Sequence, residues 1–186
     1  MGWWAAVGAT PAERAESRPG DDIVARPDVV MDRAFTVPGS PGVVWPWLVQ
    51  LGKRRAGWYL PRGVERIVPR SRRAIRHLDP RWAALTAGQV IADYGGPHET
   101  FTVDRIAAPH SLVYRSRRGA ATVSWSIELR PDDVAGVART RVLLRLRMAP
   151  IRRVRLARTV GELFDALTIA GLAGGLRERL LDQIVR

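Results

Sequence analysis

Hydrophobic and polar residues alternate with a period of two through much of the second half of the chain. In the clearest case Val123, Trp125, Ile127 and Leu129 share one face, opposite Thr122, Ser124, Ser126 and Glu128. Such alternation predicts strands with one buried face and one wet face. Short turns rich in Gly and Pro separate these segments, so neighbouring strands are expected to be antiparallel. The predicted strands are residues 32–37, 89–94, 99–106, 111–116, 121–130 and 139–148.

Two helical segments are predicted between the first strand and the others. Ser40 suits an N-cap and Pro41 the first helical position. Val44 and Leu48 then begin an apolar face, while Pro46 is expected to kink or shorten the helix. A second short helix is predicted over residues 60–68.

The last predicted element is a long helix over residues 159–185, which carries a rough apolar stripe. Gly171, Gly174 and Gly175 interrupt it. These glycines either bend or break the helix, or they leave space where a larger side chain would fill a cavity. Both interpretations stay open on the sequence alone.

The amino terminus shows no sustained periodicity. Residues 1–27 are rich in Pro, Gly and charge, which predicts a peripheral extended arm preceding one domain of residues 28–186. Trp3 and Trp4 are expected to pack back on that domain, with a membrane or partner contact as the alternative.

The chain carries a net charge of +12, and Lys53 is its only lysine. Such charge suits anionic partners, but high genomic GC content produces the same arginine excess, and we favour that explanation. Basic runs at 70–76 and 152–158, with outward arginines at 141, 145 and 147, form an alternative basic face for nucleic acid or an anionic membrane. The runs lack interleaved aromatic residues and a nucleic-acid motif, so nucleic acid is the less favoured partner.

Few features point to covalent or metal chemistry. The three histidines, His77, His98 and His110, lie far apart with no ligand spacing, so neither a metal nor a cofactor is expected. The weak acid–base candidates are Asp93, Tyr94 and His98, near one Gly-Gly turn. The absence of cysteine and of an apolar run long enough to span a membrane favours a cytoplasmic protein. The sequence contains no signal for an oligomeric state.

Four motifs resemble one bacterial branch of the START-like superfamily, also called SRPBCC or polyketide cyclase/dehydrase and lipid-transport proteins. They are PGDDIV at 19–24, VWPWLVQLG at 44–52, RAGWY at 55–59 and LDPRWAALTAGQVI at 78–91. The chain departs from the branch at residues 60–63, where a Ser-Tyr-Asp-Trp-like stretch is usual and Leu-Pro-Arg-Gly stands. The resemblance implies an α+β helix-grip fold. In it a curved antiparallel sheet wraps a long C-terminal helix, with two short helices after the first strand.

The resemblance also implies a mostly apolar cavity between sheet and helix. Members of the superfamily bind lipids, sterols or polyketides, and some catalyse cyclisation or dehydration. The expected function is therefore binding of a small hydrophobic molecule, with a cyclase or dehydrase as the alternative and a basic surface module as the third hypothesis. Residues expected to line the cavity are Trp58, Tyr59, Tyr94, Phe101, Trp125, Phe164, Leu167 and Gly171.

Overall fold

The fold is described from a computed structural model that covers residues 7–152 and 154–184, apart from the side chains of residues 155–158 and 160. Trp3 and Trp4 lie outside the described residues, so their predicted packing stays a prediction.

One curved antiparallel sheet forms the body of the protein. Its spatial order is β1-β6-β5-β4-β3-β2. Tyr114 and Leu146 flank Trp125 as its cross-strand partners, and Val123, Ile127 and Leu129 are buried in the core against which it packs, so the predicted apolar face of this strand is confirmed. All six predicted strands are present within the described ranges. Their bounds are β1 Val29–Pro38, β2 Val90–Ala92, β3 Thr100–Ala107, β4 Ser111–Arg118, β5 Ala121–Pro131 and β6 Arg139–Ala149.

The helices are α1 Pro11–Ala15, α2 Pro41–Gln50, α3 Arg62–Glu65 and α4 Val154–Ile184, with 3₁₀ turns at Arg70–Arg72 and Pro80–Trp82. The prediction of a helix over 60–68 is wrong in extent. Leu60 and Pro61 pack against glycines of α4, so the helix begins only after them. Ser40 occupies the N-cap position of α2, but its side chain makes no capping hydrogen bond among the described residues.

Helix α4 lies on the inner face of the sheet and gives the molecule its α+β helix-grip architecture. It begins five residues earlier than predicted and continues through the three glycines without a break. Leu172, Leu176 and Leu180 are fully buried in the core that α4 shares with the sheet. Within the described ranges, no helix combines the length and apolar character needed to cross a membrane.

Residues 7–28 cover the outer face of the sheet. Gly8 bridges to Arg33 of β1, and α1 starts with a capping box between Thr10 and Glu13. The outer residues Ser124 and Ser126 of β5 are consequently buried. The predicted wet face is therefore wrong for this part of β5, because a segment without periodicity packs over it.

The arginine ladder of β6 lies beneath this N-terminal segment. Arg141 pairs with Glu13 through Nε at 2.8 Å. Arg145 pairs with Asp32 at 2.7 Å and with Asp21 at 3.0 Å, and it is almost completely buried. These guanidinium groups hold the segment to the sheet and do not form an open basic face.

Candidate ligand-binding site

Five aromatic rings meet where the inner face of the sheet approaches α4. We call Trp58, Tyr94, Phe101, Tyr114 and Trp125 the aromatic cluster. Trp125 stacks on Tyr114 with ring centroids 5.4 Å apart, and its centroid lies 6.2 Å from that of Trp58. Tyr94 meets the edge of Trp58 at 6.2 Å and is 52% exposed. The cluster therefore runs from the core to the surface as one continuous aromatic wall.

One face of α4 meets the aromatic cluster at Trp58 and also carries two exposed apolar residues. The indole nitrogen of Trp58 donates to the carbonyl oxygen of Thr168 at 3.2 Å, and Leu60 contacts Gly171. Phe164, Leu167, Thr168 and Gly171 follow the spacing of one helix face, the face whose Thr168 and Gly171 meet Trp58 and Leu60. Phe164 is 72% exposed and Leu167 is 55% exposed. We call these two residues the α4 flank.

Tyr59 is a predicted lining residue that lies outside the aromatic cluster. Its hydroxyl donates to the carbonyl oxygen of Trp47 at 2.8 Å and accepts from Nε2 of Gln50 at 2.9 Å. The Arg179 guanidinium carbon lies 4.4 Å from the centroid of its ring. Burial raises the pKa of the Tyr59 phenol above its ordinary value. Tyr59 thus belongs to the packing between α2 and α4.

Gly171 does not open a space in the way its lack of a side chain suggested. A Cβ atom built on Gly171 would lie 2.7 Å from Cδ2 of Leu60, and one on Gly174 would lie 2.9 Å from Cγ of Pro61. Both distances are shorter than real Cβ contacts. The glycines therefore let α4 approach residues 59–61, and of the two interpretations that the sequence left open, the one in which they leave a void is wrong.

The rim of the aromatic cluster is polar and internally paired. The Asp93 carboxylate forms an ion pair with Arg118, whose guanidinium carbon lies 5.2 Å from the Phe101 ring centroid. Nζ of Lys53 donates to the carbonyl oxygens of Asp93 and Gly96, at 2.9 Å each, and so closes the loop after β2. His98 stands exposed on that same loop.

Tyr94 carries the half-exposed phenol at this rim. Burial raises the pKa of the Tyr94 phenol, although a backbone hydrogen bond from Trp58 opposes the shift and nearby Asp93 adds to it. The phenol therefore stays protonated at neutral pH, where it can donate a hydrogen bond to a bound molecule.

Two surface cavities lie elsewhere on the molecule. One of about 210 Å³ is bordered by Trp47, His77 and Arg179, and one of about 290 Å³ by Val7, Arg33 and Leu163. Neither is lined by the aromatic cluster. Among the described side chains, no three His, Cys, Asp or Glu residues come together as a metal site.

Three residues at this site, one aromatic and two aliphatic, were not among the predicted lining residues. Tyr114 is a buried member of the cluster, and Leu146 and Met148 are partly buried beside it on the inner face. Leu146 and Met148 alternate with Arg145 and Arg147 along β6, and this alternation is the sequence signal that places them on the inner face. Only the pairing of Tyr114 with Trp125 across β4 and β5 shows that the tyrosine belongs to the cluster.

Comparison with protein families and with curated sequences returns nothing: no family model matches the chain, and no curated protein matches it. Among solved structures, XoxI from Bacillus cereus resembles it with a TM-score of 0.52 at 13% identity. The alignment covers 84% of this chain and 98% of XoxI. At this identity the likeness shows the fold alone.

Two further structures are more distant. CalU16 from Micromonospora echinospora has a TM-score of 0.44 and 13% identity, covering 84% of this chain and 86% of CalU16. DynU16, from the dynemicin biosynthetic locus, has a TM-score of 0.47 and 19% identity. That alignment covers 83% of this chain and 48% of DynU16, so this chain spans about half of DynU16.

Proposed function

We propose that this protein binds a small hydrophobic molecule in the groove between the aromatic cluster and the α4 flank. The observation that carries the proposal is the run of ring contacts from buried Tyr114 through Trp125 to Trp58, which bonds to a face of α4 on which Phe164 and Leu167 are exposed. Large apolar side chains exposed beside an aromatic cluster are typical of a ligand-binding surface, because a ligand that covers them removes apolar area from water.

The sequence motifs and the helix-grip architecture support kinship with the START-like superfamily, and we place the binding function in residues 28–186. Binding is favoured over cyclase chemistry by the state of the polar groups at the rim. Asp93 is held by Arg118, and the Tyr94 phenol has a raised pKa rather than the lowered one that a base at neutral pH requires. The ligand we expect is apolar, with at most one polar group near Tyr94.

The proposal is tested with the neutral fluorescent dye N-phenylnaphthylamine, titrated into the full chain. Dye bound in the groove lies beside Trp58 and Trp125, so tryptophan emission falls as dye emission rises. A series of uncharged long-chain alcohols and sterols then competes for the site. A ligand that binds the folded state also raises the melting temperature by mass action.

A pair of double variants separates the groove from general surface stickiness. Phe164→Ala with Leu167→Ala removes the α4 flank, and we expect dye affinity to fall about 30-fold, from roughly 1 kcal/mol for each side chain that the ligand covers. Leu181→Ala with Ile184→Ala removes two exposed apolar residues from the far end of the same helix. This control should leave affinity unchanged.

Equal affinity of wild type and the α4-flank variant would contradict the proposed groove. Failure of the dye and of every competitor to bind the wild-type chain would contradict hydrophobic binding altogether. Because the flank residues are exposed, the variant should keep the wild-type circular dichroism spectrum and denaturation midpoint.

A further inference from the structure

The chain after α3 forms an exposed and strongly basic projection, residues 66–73, which we call the basic tip. Its four arginines are Arg66, Arg70, Arg72 and Arg73, and all are exposed. Ile67 lies among them with 85% of its surface exposed, the highest value of any large apolar residue in the described chain. The tip thus combines concentrated positive charge with one apolar side chain in solvent.

The basic tip is a closed loop with a defined shape. Nε of Arg73 donates to the carbonyl oxygen of Val68 at 2.8 Å, and Nη2 of Arg73 donates to the carbonyl oxygen of Arg66 at 3.0 Å. These bonds fold the second half of the tip back over the first, while the 3₁₀ turn Arg70–Arg72 forms between them. The arginines and Ile67 are therefore presented together.

The base of the tip is fixed to the body by a buried ion-pair network. Glu65 accepts from Arg179 at 2.7 Å and from Arg76 at 3.0 Å, and Arg179 has no exposed surface. Arg76 also reaches Glu178 of α4 at 3.0 Å. A network this buried holds the tip rigidly, because breaking it would leave an unpaired charge in the core.

The same network leaves the charge of the tip unneutralised. Glu65 is the one acidic residue between positions 33 and 78, and both of its oxygens are engaged by Arg76 and Arg179. Among the described residues, none of the four tip arginines forms an ion pair with a carboxylate. This differs from the arginine ladder of β6, where Glu13, Asp21 and Asp32 balance the charge.

We propose that the basic tip docks this protein on an anionic lipid surface, with the arginines at the headgroups and Ile67 inserted between them. Clusters of four or more basic residues are attracted to anionic bilayers, and an apolar side chain among them adds burial at the headgroup boundary. Single-stranded nucleic acid is the less suited partner because the tip contains no aromatic residue on which bases stack.

The test is co-sedimentation of the full chain with lipid vesicles at low salt. Vesicles of phosphatidylcholine alone are compared with vesicles in which one third of the lipid is phosphatidylglycerol. We expect binding to the anionic vesicles only, weakening steeply as salt rises. Arg70→Gln with Arg72→Gln should lower the partition coefficient about 25-fold, from roughly fivefold per arginine near the surface.

Matched controls isolate the tip from net charge and from exposed apolar surface in general. Arg26→Gln with Arg117→Gln removes the same charge from exposed positions elsewhere, and should lower the partition coefficient much less. Ile67→Asn should weaken vesicle binding, whereas Val137→Asn, at another exposed apolar position, should not. None of these side chains is buried, so the fold is expected to survive each change.

Two results with vesicles would overturn the proposal. One is equal binding, or no binding, to neutral and anionic vesicles, which excludes an attraction to anionic lipid. The other is an equal loss for the tip variant and its charge-matched control, which removes the tip from the interaction. Binding of a fluorescent oligonucleotide that depends on Arg70 and Arg72, in the absence of vesicle binding, would assign the tip to nucleic acid instead. Dye binding tests the groove and vesicle binding tests the basic tip, so failure of one proposal leaves the other unaffected.

Discussion

Gly175 is the position where one added methyl group should cost the most stability. It lies on α4 opposite residues 59 and 60, and it contacts backbone rather than side chains. A Cβ atom built there would lie 2.5 Å from the Leu60 nitrogen and 2.6 Å from the Tyr59 carbonyl carbon. Tyr59 is anchored by its hydrogen bonds to α2, so this backbone cannot move away without disturbing the core.

The expected magnitude follows from two opposing effects. Replacing glycine by alanine in a helix contributes about 1 kcal/mol of stability where space is available. Overpacking costs about 1–3 kcal/mol, and a rigid neighbour places this position at or above the upper end. Gly175→Ala should therefore lower the free energy of unfolding by about 2 kcal/mol. For a chain of this size the melting temperature should fall by about 4–8 °C.

Two other glycines provide matched controls. Gly63 lies in α3, and a Cβ atom there would meet nothing within 4 Å. Gly63→Ala should therefore raise stability by about 0.5–1 kcal/mol. Gly171 would meet only Cδ2 of Leu60, the far end of a flexible side chain, so Gly171→Ala should be close to neutral. From most to least stable, we expect Gly63→Ala first, then wild type and Gly171→Ala at the same level, and Gly175→Ala last.

Urea denaturation followed by far-ultraviolet circular dichroism measures all four proteins on one scale. The slope with denaturant should stay constant across the series, since none of the changes alters the area exposed on unfolding. A Gly175→Ala variant as stable as wild type would refute the close approach of α4 to residues 59–61. It would also revive the interpretation that the glycines leave a void.

Two further predictions concern pH. Burial, with Glu162 nearby, raises the pKa of Asp165 from 3.8 to about 6 despite its ion pair with Arg33. The folded protein therefore holds a proton on Asp165 more tightly than the unfolded chain does. This stabilisation is lost as pH rises from about 4 to 6, which lowers the free energy of unfolding by about 3 kcal/mol. Asp165→Asn should abolish that loss, measured as the urea midpoint at each pH. The hydrogen bond from Arg141 lowers the pKa of Glu13 from 4.5 to about 2. Its contribution is present above pH 4.5 and lost on acidification, so Glu13→Gln should cost about 1.5–3 kcal/mol at pH 7 and little near pH 2. An unchanged pH profile in either variant would contradict the corresponding assignment.

The strands were predictable because their signal is local. Alternation within a few residues decides which side chains of a strand share a face, and Gly and Pro turns decide where the chain reverses. Trp125 was placed on the inner face for this reason, and its partners across β4 and β6 agree with that placement. The long terminal helix was predicted equally well from its apolar stripe. Its start at Val154 was not predicted, because residues 152–158 form a basic run without an apolar period.

The candidate site was only partly predictable. Trp58, Tyr94, Phe101 and Trp125 were expected to line one cavity, and the structure does bring these rings together. Tyr59 follows Trp58 directly in sequence, yet it joins the core beside α2. Adjacent residues of an extended segment face opposite ways. Which of the two faced the sheet depended on how α4 packs against that segment.

The sequence by itself determined the six strands, the antiparallel pairing of neighbours joined by short turns, the long terminal helix and the inner face of the sheet. Tertiary structure alone decided what covers the outer face and why α4 contains glycines. Arg141 and Glu13 are separated by 128 positions, and Gly175 meets a segment more than 100 positions away. Periodicity carries information over one element, whereas these contacts arise from the packing of a non-periodic segment and of a loop. Whether Arg141 is ion-paired and Gly175 is buried depends on distant parts of the chain, so neither could be predicted from the residues around them.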